Sequence, residues 1–424
     1  MKRARLFGGL AAIALAATAC GGNTEPAADE PAEQAEIRLW LNGPDTPQPM
    51  RDWLVDNFEE QNPGATLTIE EQQWEGLVDR LTTSLSSESE TPDVVEVGNT
   101  QAATFSTAGA FSDITGMLPE LGGDDLLSGF VEAGSADGKT YAVPLYAGSA
   151  YVFYRKDLFA ESGLEVPETM TEFVDAAVTL AEDNADVKGF SGFWLPGQDW
   201  RDGVAFVWDA GGELAVEENG EWTGALSTPE SLDGLERVRT LFQDASGAPK
   251  DGNEAEPEVP FCAGQIGMML RPGWVMGSLA DKEVGCPKLA KQVGVFALPG
   301  SDGEPAPVLL GGSNIAVSAQ SPNQELARSL VELMLSDEFQ RQYAENGLTP
   351  AKVSLAKHLG DDEYAEATRA AVTNAKLTPA AAGWAKVEGS RVLEDLFVGI
   401  AHGRDVEKLA AEADETITRL LSGS

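Results

Sequence analysis

Basic residues are scarce in this sequence. The chain of 424 residues has 29 lysines and arginines against 69 aspartates and glutamates, which gives a formal net charge of −40. A surface of this sign repels nucleic-acid phosphates and anionic lipid headgroups, so we expect neither as a partner. The acidic excess favours solubility, and a cationic ligand is the alternative interpretation.

Histidine is scarce as well. His358 and His402 are the only two histidines, and neither has a Cys or His partner at the spacing of metal ligands, so we expect no metal site and no cofactor. The sequence has no Gly-x-Ser-x-Gly nucleophile motif. A glycoside hydrolase needs two carboxylates at a defined separation, which so many acidic residues permit by chance. We predict a protein that is not an enzyme, with a secreted glycoside hydrolase as an alternative.

Long hydrophobic runs are also missing, since no stretch reaches the roughly 20 apolar residues that span a bilayer. The most apolar segment, residues 6–17, is short and follows Lys2, Arg3 and Arg5. A basic start followed by a short apolar core is typical of a secretion signal. We therefore predict a signal peptide over residues 1–19.

Small residues precede the first cysteine, Cys20, and residues 15–20 read Leu-Ala-Ala-Thr-Ala-Cys. This is a loose lipobox, because Ala17 stands where Leu is usual. We predict that Cys20 carries a lipid that anchors the protein to the outer face of the cell membrane; an ordinary signal with a chance cysteine is the alternative. Residues 20–35 contain Ala as their only apolar type apart from Cys20 itself, so they predict a flexible tether.

Only three cysteines are present, and two remain once Cys20 is assigned to lipid. Outside the cytoplasm a remaining pair usually forms a disulfide, so we predict a bond between Cys262 and Cys286. The loop that it closes would contribute about 3 kcal/mol in the chain-entropy model.

The first third of the folded part alternates between strand and helix patterns. Such βαβ spacing predicts a mostly parallel sheet covered by helices, with ligands at the carboxyl ends of the strands. Those ends are residues 42–43, 73–74 and 98–100. The predicted elements are strands over 37–41, 65–71 and 91–97 and helices over 50–61 and 74–86.

Residues 133–140 match a relaxed phosphate-loop pattern, but that chemistry needs a helix to start at Lys139. A β-prone run ended by Pro144 follows instead, so we predict a hairpin around Asp137 and Gly138, between 132–133 and 140–143.

The remaining predictions are an extended crossing segment over 144–154, a capped helix start within 166–173, strands over 293–299 and 308–317, and helix-rich segments over 323–346 and 362–421.

The aromatic residues are skewed toward tryptophan, with nine in the chain. A sugar ring packs its C–H face on an indole, and its hydroxyls need paired donors and acceptors. Core filling and ligand stacking explain each of these tryptophans equally well, whereas Trp40 and Trp53 favour the core. The tryptophans beside turn residues are Trp74, Trp194, Trp200, Trp274 and Trp384, and the polar candidates are Asn99, Thr100, Asp199, Arg201, Ser313, Asn314 and Glu388.

A series of short motifs, in order along the chain from about residue 36, resembles the extracellular solute-binding protein family 1. The motifs are Trp40, 58–64 (Phe-Glu-Glu-Gln-Asn-Pro-Gly), Trp74, 92–100, 109–111, 137–144, 154–159, 209–212, 261–264, 268–269, 272–274, 298–300 and 311–317 (Gly-Gly-Ser-Asn-Ile-Ala-Val). Within the family, residues 98–100 and 196–200 resemble actinobacterial carbohydrate binders, including the chitobiose-binding type.

This resemblance implies an α/β fold of two lobes, of the type II periplasmic-binding-protein kind, joined by a hinge with the ligand between them. It implies a first lobe of 36–145 plus 305–350 and a second of 146–304 plus 351–424. The implied protein is the monomeric binding component of an ABC importer, which delivers a neutral sugar, such as a disaccharide, to the permease. A polyamine or another cationic solute is the alternative ligand.

The ligand-binding residues that we expect come from the strand ends, the Gly-Gly-Ser motif and the indoles. Most are carried over from the resemblance, and Thr100 and Asp199 are added as polar candidates. The full set is Asn42, Trp74, Asn99, Thr100, Tyr146, Asp199, Trp200, Trp274, Gly312, Ser313, Trp384 and Glu388.

Overall fold

The computed structural model of the protein describes residues 35–422, apart from residues 75, 88, 283, 284 and 382. The predicted signal peptide, Cys20 and the predicted tether up to residue 34 lie outside the described residues. Among the described residues, no helix combines the length and the apolar character needed to cross a membrane.

The strands occur throughout the described chain. They are β1 (Ala35–Asn42), β2 (Ala65–Gln72), β3 (Val94–Gly98), β4 (Ser135–Ala136), β5 (Lys139–Thr140), β6 (Ala142–Arg155), β7 (Ser191–Phe193), β8 (Ala215–Glu218), β9 (Glu221–Gly224), β10 (Ile266–Pro272), β11 (Val293–Phe296), β12 (Leu310–Val317) and β13 (Thr349–Pro350).

The helices alternate with the strands at first and dominate the C-terminal part. They are α1 (Gln48–Gln61), α2 (Leu77–Ser84), α3 (Asn99–Thr107), α4 (Leu118–Leu121), α5 (Ser128–Ala133), α6 (Lys156–Ser162), α7 (Met170–Asp183), α8 (Trp200–Asp209), α9 (Pro229–Thr240), α10 (Glu258–Cys262), α11 (Val275–Ala280), α12 (Pro287–Ala290), α13 (Gln324–Met334), α14 (Asp337–Glu345), α15 (Glu363–Thr373), α16 (Trp384–Gly389), α17 (Val392–Ala401) and α18 (Val406–Leu421). Short 3-10 segments cover Thr115–Met117, Gly123–Asp125 and Val353–Leu359, and a π turn at Leu241–Ala245 extends α9.

The main sheet has the strand order β2-β1-β3-β12-β6-β10-β7, and β11 and β13 also pair with β6. β1 runs parallel to β2 and β3, as predicted, but β12 is antiparallel to both β3 and β6, and β10 is antiparallel to β6. Our expectation of a mostly parallel sheet is therefore wrong. The sheet is mixed because β12 and β6 run in opposite directions at its centre.

The buried apolar side chains of the first part of the sheet cover both of its faces. Leu39 and Leu41 of β1 pack with α1 and α13 on one face, whereas Trp40 packs with α2 and α3 on the other. This alternation follows from the period of two in a strand. Covering both faces with helices accounts for the apolar strands that the sequence shows here.

A second, larger core forms around β10, β7 and the second half of β6, with α7, α8, α17 and α18 packed against it. The two-lobe α/β fold that we predicted is confirmed in this arrangement. β6 belongs to both parts, since its first half pairs with β12 and its second half with β10 and β11. We propose lobe boundaries close to the predicted ones, because the first-lobe clusters draw on 37–146 and 315–351 and the second-lobe cluster on 151–308 and 367–421.

Local sequence signals determine where several helices and strands begin. Thr169 and Glu172 form the predicted capping box at the start of α7, in which the Thr169 hydroxyl accepts from the Glu172 N–H. The predicted helix over 74–86 begins later, at Leu77, because Gly76 before it has a left-handed backbone with φ of 70°. The predicted strand over 91–97 begins at Val94.

The hairpin at Asp137 and Gly138 is confirmed, and both residues have positive φ, of 52° and 74°. Its first strand is β4, not residues 132–133 as we expected. Those two residues complete α5, since Glu132 and Ala133 are good helix formers and Gly134 follows them. Lys139 lies in β5 rather than at a helix start, which agrees with our rejection of a phosphate loop.

Cys262 and Cys286 form a disulfide, as predicted, with their Cα atoms 5.5 Å apart. Cys262 ends α10 and Cys286 precedes α12. The bond therefore ties together two short helices that flank β10 and α11. It constrains the chain on both sides of Trp274.

Candidate ligand-binding cleft

A cleft of about 390 Å³ lies between the two lobes. This volume falls within the range of about 300 to 1,000 Å³ that is usual for small-molecule sites. The lining residues are Asp45, Trp74, Gly98, Asn99, Thr100, Gln101, Tyr146, Gly148, Trp200, Arg201, Glu254, Pro272, Trp274, Leu309, Leu310, Gly311, Gly312, Leu348, Thr378 and Glu388.

The first lobe contributes the strand ends to the cleft. Gly98 ends β3, and Asn99 and Thr100 begin α3 directly after it. Gly312 lies on β12 opposite Ala147 of β6 with φ of 148°, and a Cβ atom there would lie 2.5 Å from the Tyr146 carbonyl oxygen. Only glycine fits this close approach, which explains the second glycine of the Gly-Gly-Ser run at the cleft.

Two exposed indoles lie on opposite lobes. Trp74 follows β2 and is 40% exposed, and Trp274 follows β10 and is 48% exposed. Gly43 allows Trp74 to approach the end of β1, since a Cβ atom there would lie 3.2 Å from the indole Nε1. Large exposed aromatic surfaces in a cleft are available for stacking against a ligand.

Trp200 lines the cleft but presents almost no surface, because it is 1% exposed. The Arg201 guanidinium lies over its ring, with the Cζ atom 4.9 Å from the ring centroid. Arg201 Nη1 is 3.0 Å from Glu254 Oε1, and both residues also line the cleft. Arg201 therefore covers part of the Trp200 ring, and Glu254 partly neutralises its charge.

Glu388 connects the lobes. Its Oε1 accepts from Trp384 Nε1 at 3.2 Å, and the Thr100 side chain of the first lobe also hydrogen-bonds it. Burial raises the pKa of Glu388, although the Arg201 charge and these hydrogen bonds oppose the rise. The carboxyl can accept a hydrogen bond from a ligand hydroxyl, or donate one when it is protonated.

A buried network lies under the first-lobe side of the cleft. Glu96 of β3 is 1% exposed, and it accepts from the Asn42 N–H at 2.7 Å, from the Ser313 hydroxyl at 2.5 Å and from the Tyr146 hydroxyl at 2.9 Å. The Tyr146 hydroxyl also lies 3.0 Å from Oδ2 of Asp45, which lines the cleft. Burial raises the pKa of Glu96 to about 7 against the opposing effect of the hydrogen bonds, and burial raises that of Asp45 as well.

The structure brings most of the predicted ligand-binding residues together at the cleft. Those that line it are Trp74, Asn99, Thr100, Tyr146, Trp200, Trp274, Gly312 and Glu388. The other four lie behind it: Asn42 and Ser313 bind Glu96, Trp384 binds Glu388, and Asp199 is fully buried beside Arg271. Trp384 is 1% exposed and belongs to the second core.

Other lining residues do not appear in the predicted set. Asp45 lies three residues beyond the end of β1, and a count of residues past each strand end would have found it. Arg201 is next to Trp200, and the sequence indicates it only as a polar candidate. Glu254, Thr378 and the apolar Leu309, Leu310 and Leu348 come from segments without a motif, and only the fold places them at the cleft. Among the described residues, no group of His, Cys, Asp and Glu has the arrangement of a metal site.

Residues 43–341 match the family described as bacterial extracellular solute-binding protein. The chain is similar to the diacetylchitobiose-binding protein DasA of Streptomyces coelicolor, with 33% identity over 98% of this chain and 97% of the relative.

Solved structures share the fold at lower identity. The GacH receptor of Streptomyces glaucescens, solved unliganded and with acarbose, superposes with a TM-score of 0.79 at 22% identity, over 92% of this chain and 99% of that one. The sugar-binding protein MalE of Xanthomonas citri gives a TM-score of 0.77 at 20% identity, over 92% and 98%. The resemblance inferred from the short motifs is confirmed, and the chain belongs to the bacterial extracellular solute-binding protein family.

Proposed function

We propose that this protein is the substrate-binding lipoprotein of a bacterial ABC importer, and that it captures a neutral oligosaccharide, a disaccharide of the chitobiose type. The observation that carries the proposal is the pair of exposed indoles, Trp74 and Trp274, which lie on opposite lobes and line the same cleft. Two such surfaces can stack on the apolar faces of a sugar as the lobes close.

The polar lining suits sugar hydroxyls. Asn99, Thr100 and Gln101 provide amide and hydroxyl groups from the start of α3, and Asp45 and Glu388 provide carboxyl oxygens. Each of these groups can pair with a hydroxyl that both donates and accepts. The identity of 33% with a diacetylchitobiose-binding protein over nearly the full length supports the chitobiose type as the first ligand to test.

Apolar side chains form a further part of the lining. Leu309, Leu310 and Leu348 lie at the cleft, together with Pro272. They offer surface to the less polar parts of a sugar or to a substituent such as an acetamido methyl. A contact of this kind discriminates by only a modest factor, whereas an unpaired hydroxyl partner discriminates strongly.

A cationic ligand is the second candidate, and the charge of the lining favours it. Asp45, Glu254 and Glu388 face a single basic residue, Arg201, among the lining residues, and Arg201 is paired with Glu254. A polyamine could pair with the remaining carboxylates. The sugar stays the primary proposal because two exposed indoles on opposite lobes suit the faces of sugar rings, and because the similar full-length relative binds diacetylchitobiose.

A thermal-shift screen separates these candidates. The mature protein is heated alone and with mono- and disaccharides, including N,N′-diacetylchitobiose, and with spermidine. A ligand at a concentration of 100 Kd should stabilise the folded state by about 2.7 kcal/mol, so one disaccharide should raise the melting temperature clearly. Stabilisation by spermidine alone would contradict the sugar proposal. The recovered sugar should be intact, since released reducing ends would identify a glycoside hydrolase.

Capture at the cell surface requires an anchor, and the lipobox-like run before Cys20 supports one. Replacing Cys20 by Ala should move the protein from the membrane fraction to the medium, because the lipid attaches through the thiol. Immunoblots of both fractions measure the change, and Ala19→Ser serves as a control that retains the thiol. A Cys20→Ala protein that still sediments with membranes would contradict the lipoprotein assignment and leave the binding proposal unaffected.

A further inference from the structure

The network under the cleft has more oxygen–oxygen contacts than hydroxyl protons. The Tyr146 hydroxyl lies 3.0 Å from Asp45 Oδ2 and 2.9 Å from Glu96 Oε1, and the Ser313 hydroxyl lies 2.5 Å from Glu96 Oε1 and 3.2 Å from the Tyr146 oxygen. Tyr146 and Ser313 each have one proton to donate. If both carboxyls were ionised, Tyr146 could donate its proton to only one of them. The other carboxylate would then face the lone pairs of the Tyr146 oxygen.

A third proton, held by one of the two carboxyls, gives every contact between a carboxyl and a hydroxyl a donor. If Asp45 is protonated, it donates to the Tyr146 oxygen, and Tyr146 and Ser313 both donate to Glu96. If Glu96 is protonated, it donates to Tyr146, which then donates to Asp45. Either way the proton belongs to the pair of carboxyls, as is usual for two coupled acids.

We propose that Glu96 is a positioning residue for ligand binding, and that the proton which it shares with Asp45 through Tyr146 makes the affinity of the cleft depend on pH. Glu96 does not line the cleft, so it acts through Asp45 and Tyr146, which do. The inference rests on the proposed function in that a ligand binds in this cleft.

The direction of the dependence follows from desolvation. A ligand that fills the cleft removes water from Asp45, and this costs more when both carboxyls of the pair are charged. Binding should therefore favour the state that holds the proton. Affinity should be constant at low pH and fall as pH rises through the range in which the free protein loses the proton, close to the pKa of about 7 of Glu96.

The other groups that face the network do not neutralise it. Tyr343 of α14 packs on Tyr146 with ring centroids 5.0 Å apart, and burial raises the pKa of both phenols well above the usual value. Arg51 of α1 also faces Tyr343, but its guanidinium binds Glu71 at 2.7 Å and the Gly43 carbonyl at 2.6 Å. The proton shared by Asp45 and Glu96 is thus the one in this network that is gained or lost near neutral pH.

Calorimetry with N,N′-diacetylchitobiose from about pH 6 to about pH 9 tests the proposal. One linked proton predicts that affinity falls by up to about tenfold per pH unit above about pH 7. Glu96→Gln should fold and bind with a flat profile, because an amide can donate to Tyr146 as the protonated acid does. A His358→Asn/His402→Asn variant should keep the wild-type slope, which excludes the histidines as its source. A flat wild-type profile, or an equal slope in Glu96→Gln, would overturn the proposal without affecting sugar binding.

A ligand-free measurement separates this proposal from the proposed function. Carboxyl ¹³C NMR of the wild type, assigned by comparison with Glu96→Gln and Asp45→Asn, should show one carboxyl of the pair titrating near pH 7, well above the ordinary value of 4.5 for a glutamate. If no ligand binds but one carboxyl of the pair titrates there, the shared proton stands and the sugar proposal fails. If Glu96 and Asp45 both titrate in the ordinary range of a carboxyl, the shared proton is refuted whatever the cleft binds.

Discussion

Replacing Arg271 by Met should lower the free energy of unfolding by about 3–5 kcal/mol, as is usual when one partner of a buried ion pair is removed. Arg271 of β10 is 4% exposed, and its Nη2 is 2.8 Å from Oδ2 of Asp199, which is fully buried. Its Nη1 also binds Asp202, and its guanidinium carbon lies 4.8 Å from the ring centroid of Trp194. Without Arg271, two buried carboxyls would face each other.

Solution pH should modulate this loss. In the wild type, burial raises the pKa of Asp202 well above its ordinary value, with Asp199 adding to the rise and Arg271 opposing it. A group whose pKa is raised in the folded state contributes stability at pH values below its pKa in the unfolded state. This contribution is lost as pH rises through its pKa in the folded state. Removing Arg271 raises the folded pKa further, so the deficit of Arg271→Met should shrink as pH falls from 7 toward about 4.

Chemical denaturation at several pH values measures the effect. Arg239→Met is the matched control, because Arg239 pairs with Glu236 at the surface, where both side chains are over 40% exposed, and should change stability by only about 0–1 kcal/mol. Adding Asp199→Asn and Asp202→Asn to Arg271→Met should restore much of the loss, and Asn can still cap α8. Equal stabilities of Arg271→Met and Arg239→Met would show that the buried cluster of Arg271 with two aspartates does not stabilise the fold.

This cluster also bears on the cleft. Asp199 caps α8 by accepting the Asp202 N–H at 3.2 Å, and Trp200 and Arg201 begin that helix. The buried charges therefore fix the helix end that carries two lining residues. The sequence marks Asp199 as a polar candidate for the ligand, but in the fold its carboxyl oxygens bind Arg271 and the backbone of α8.

Local patterns predicted the first part of the fold well. The strands and helices from Ala35 to Gly98 lie within a few residues of their predicted bounds, because alternating and helical periodicities are strong there and Gly and Pro separate them. The direction of β12 and β6 was not predictable in the same way. Strand direction in the sheet is decided by long-range pairing between residues more than 150 positions apart, such as Ser313 and Tyr146.

Positions at strand ends were predicted better than the directions of their side chains. Asn99 and Thr100 line the cleft, whereas Asn42 and Ser313, also at or near strand ends, turn to Glu96 behind it. A strand alternates the two faces with each residue, and a bulge between Ser313 and Asn314 changes the register locally. Sequence shows neither the bulge nor the buried carboxyl that these side chains bind.

The tryptophans beside turn residues include both exposed and buried side chains. Trp74 and Trp274 lie in turns with large exposed surfaces, whereas Trp200 and Trp384 start helices and are each 1% exposed. All four stand next to turn residues in the sequence, so turn proximity alone did not separate them. The packing of α8 and α16 against the second core determines the difference.

Trp274→Ala should weaken sugar binding by about 10- to 100-fold, or roughly 1–3 kcal/mol, because it removes a stacking surface from the cleft. The melting temperature of the ligand-free protein should change little, since the side chain is 48% exposed and its loss creates no cavity. Calorimetry with the sugar identified by thermal shift measures the affinity. Trp74→Ala, on the other lobe, should show a loss of the same order.

Two comparison variants separate stacking from packing. Trp222→Ala changes a half-buried indole on β9, which is not among the lining residues, and should leave affinity unchanged. Trp200→Ala empties a buried site and should destabilise the ligand-free protein by about 3–5 kcal/mol, in contrast to Trp274→Ala. If Trp274→Ala kept full affinity and instead melted as early as Trp200→Ala, its indole would be a packing residue. The stacking role proposed for the two exposed tryptophans would then be wrong.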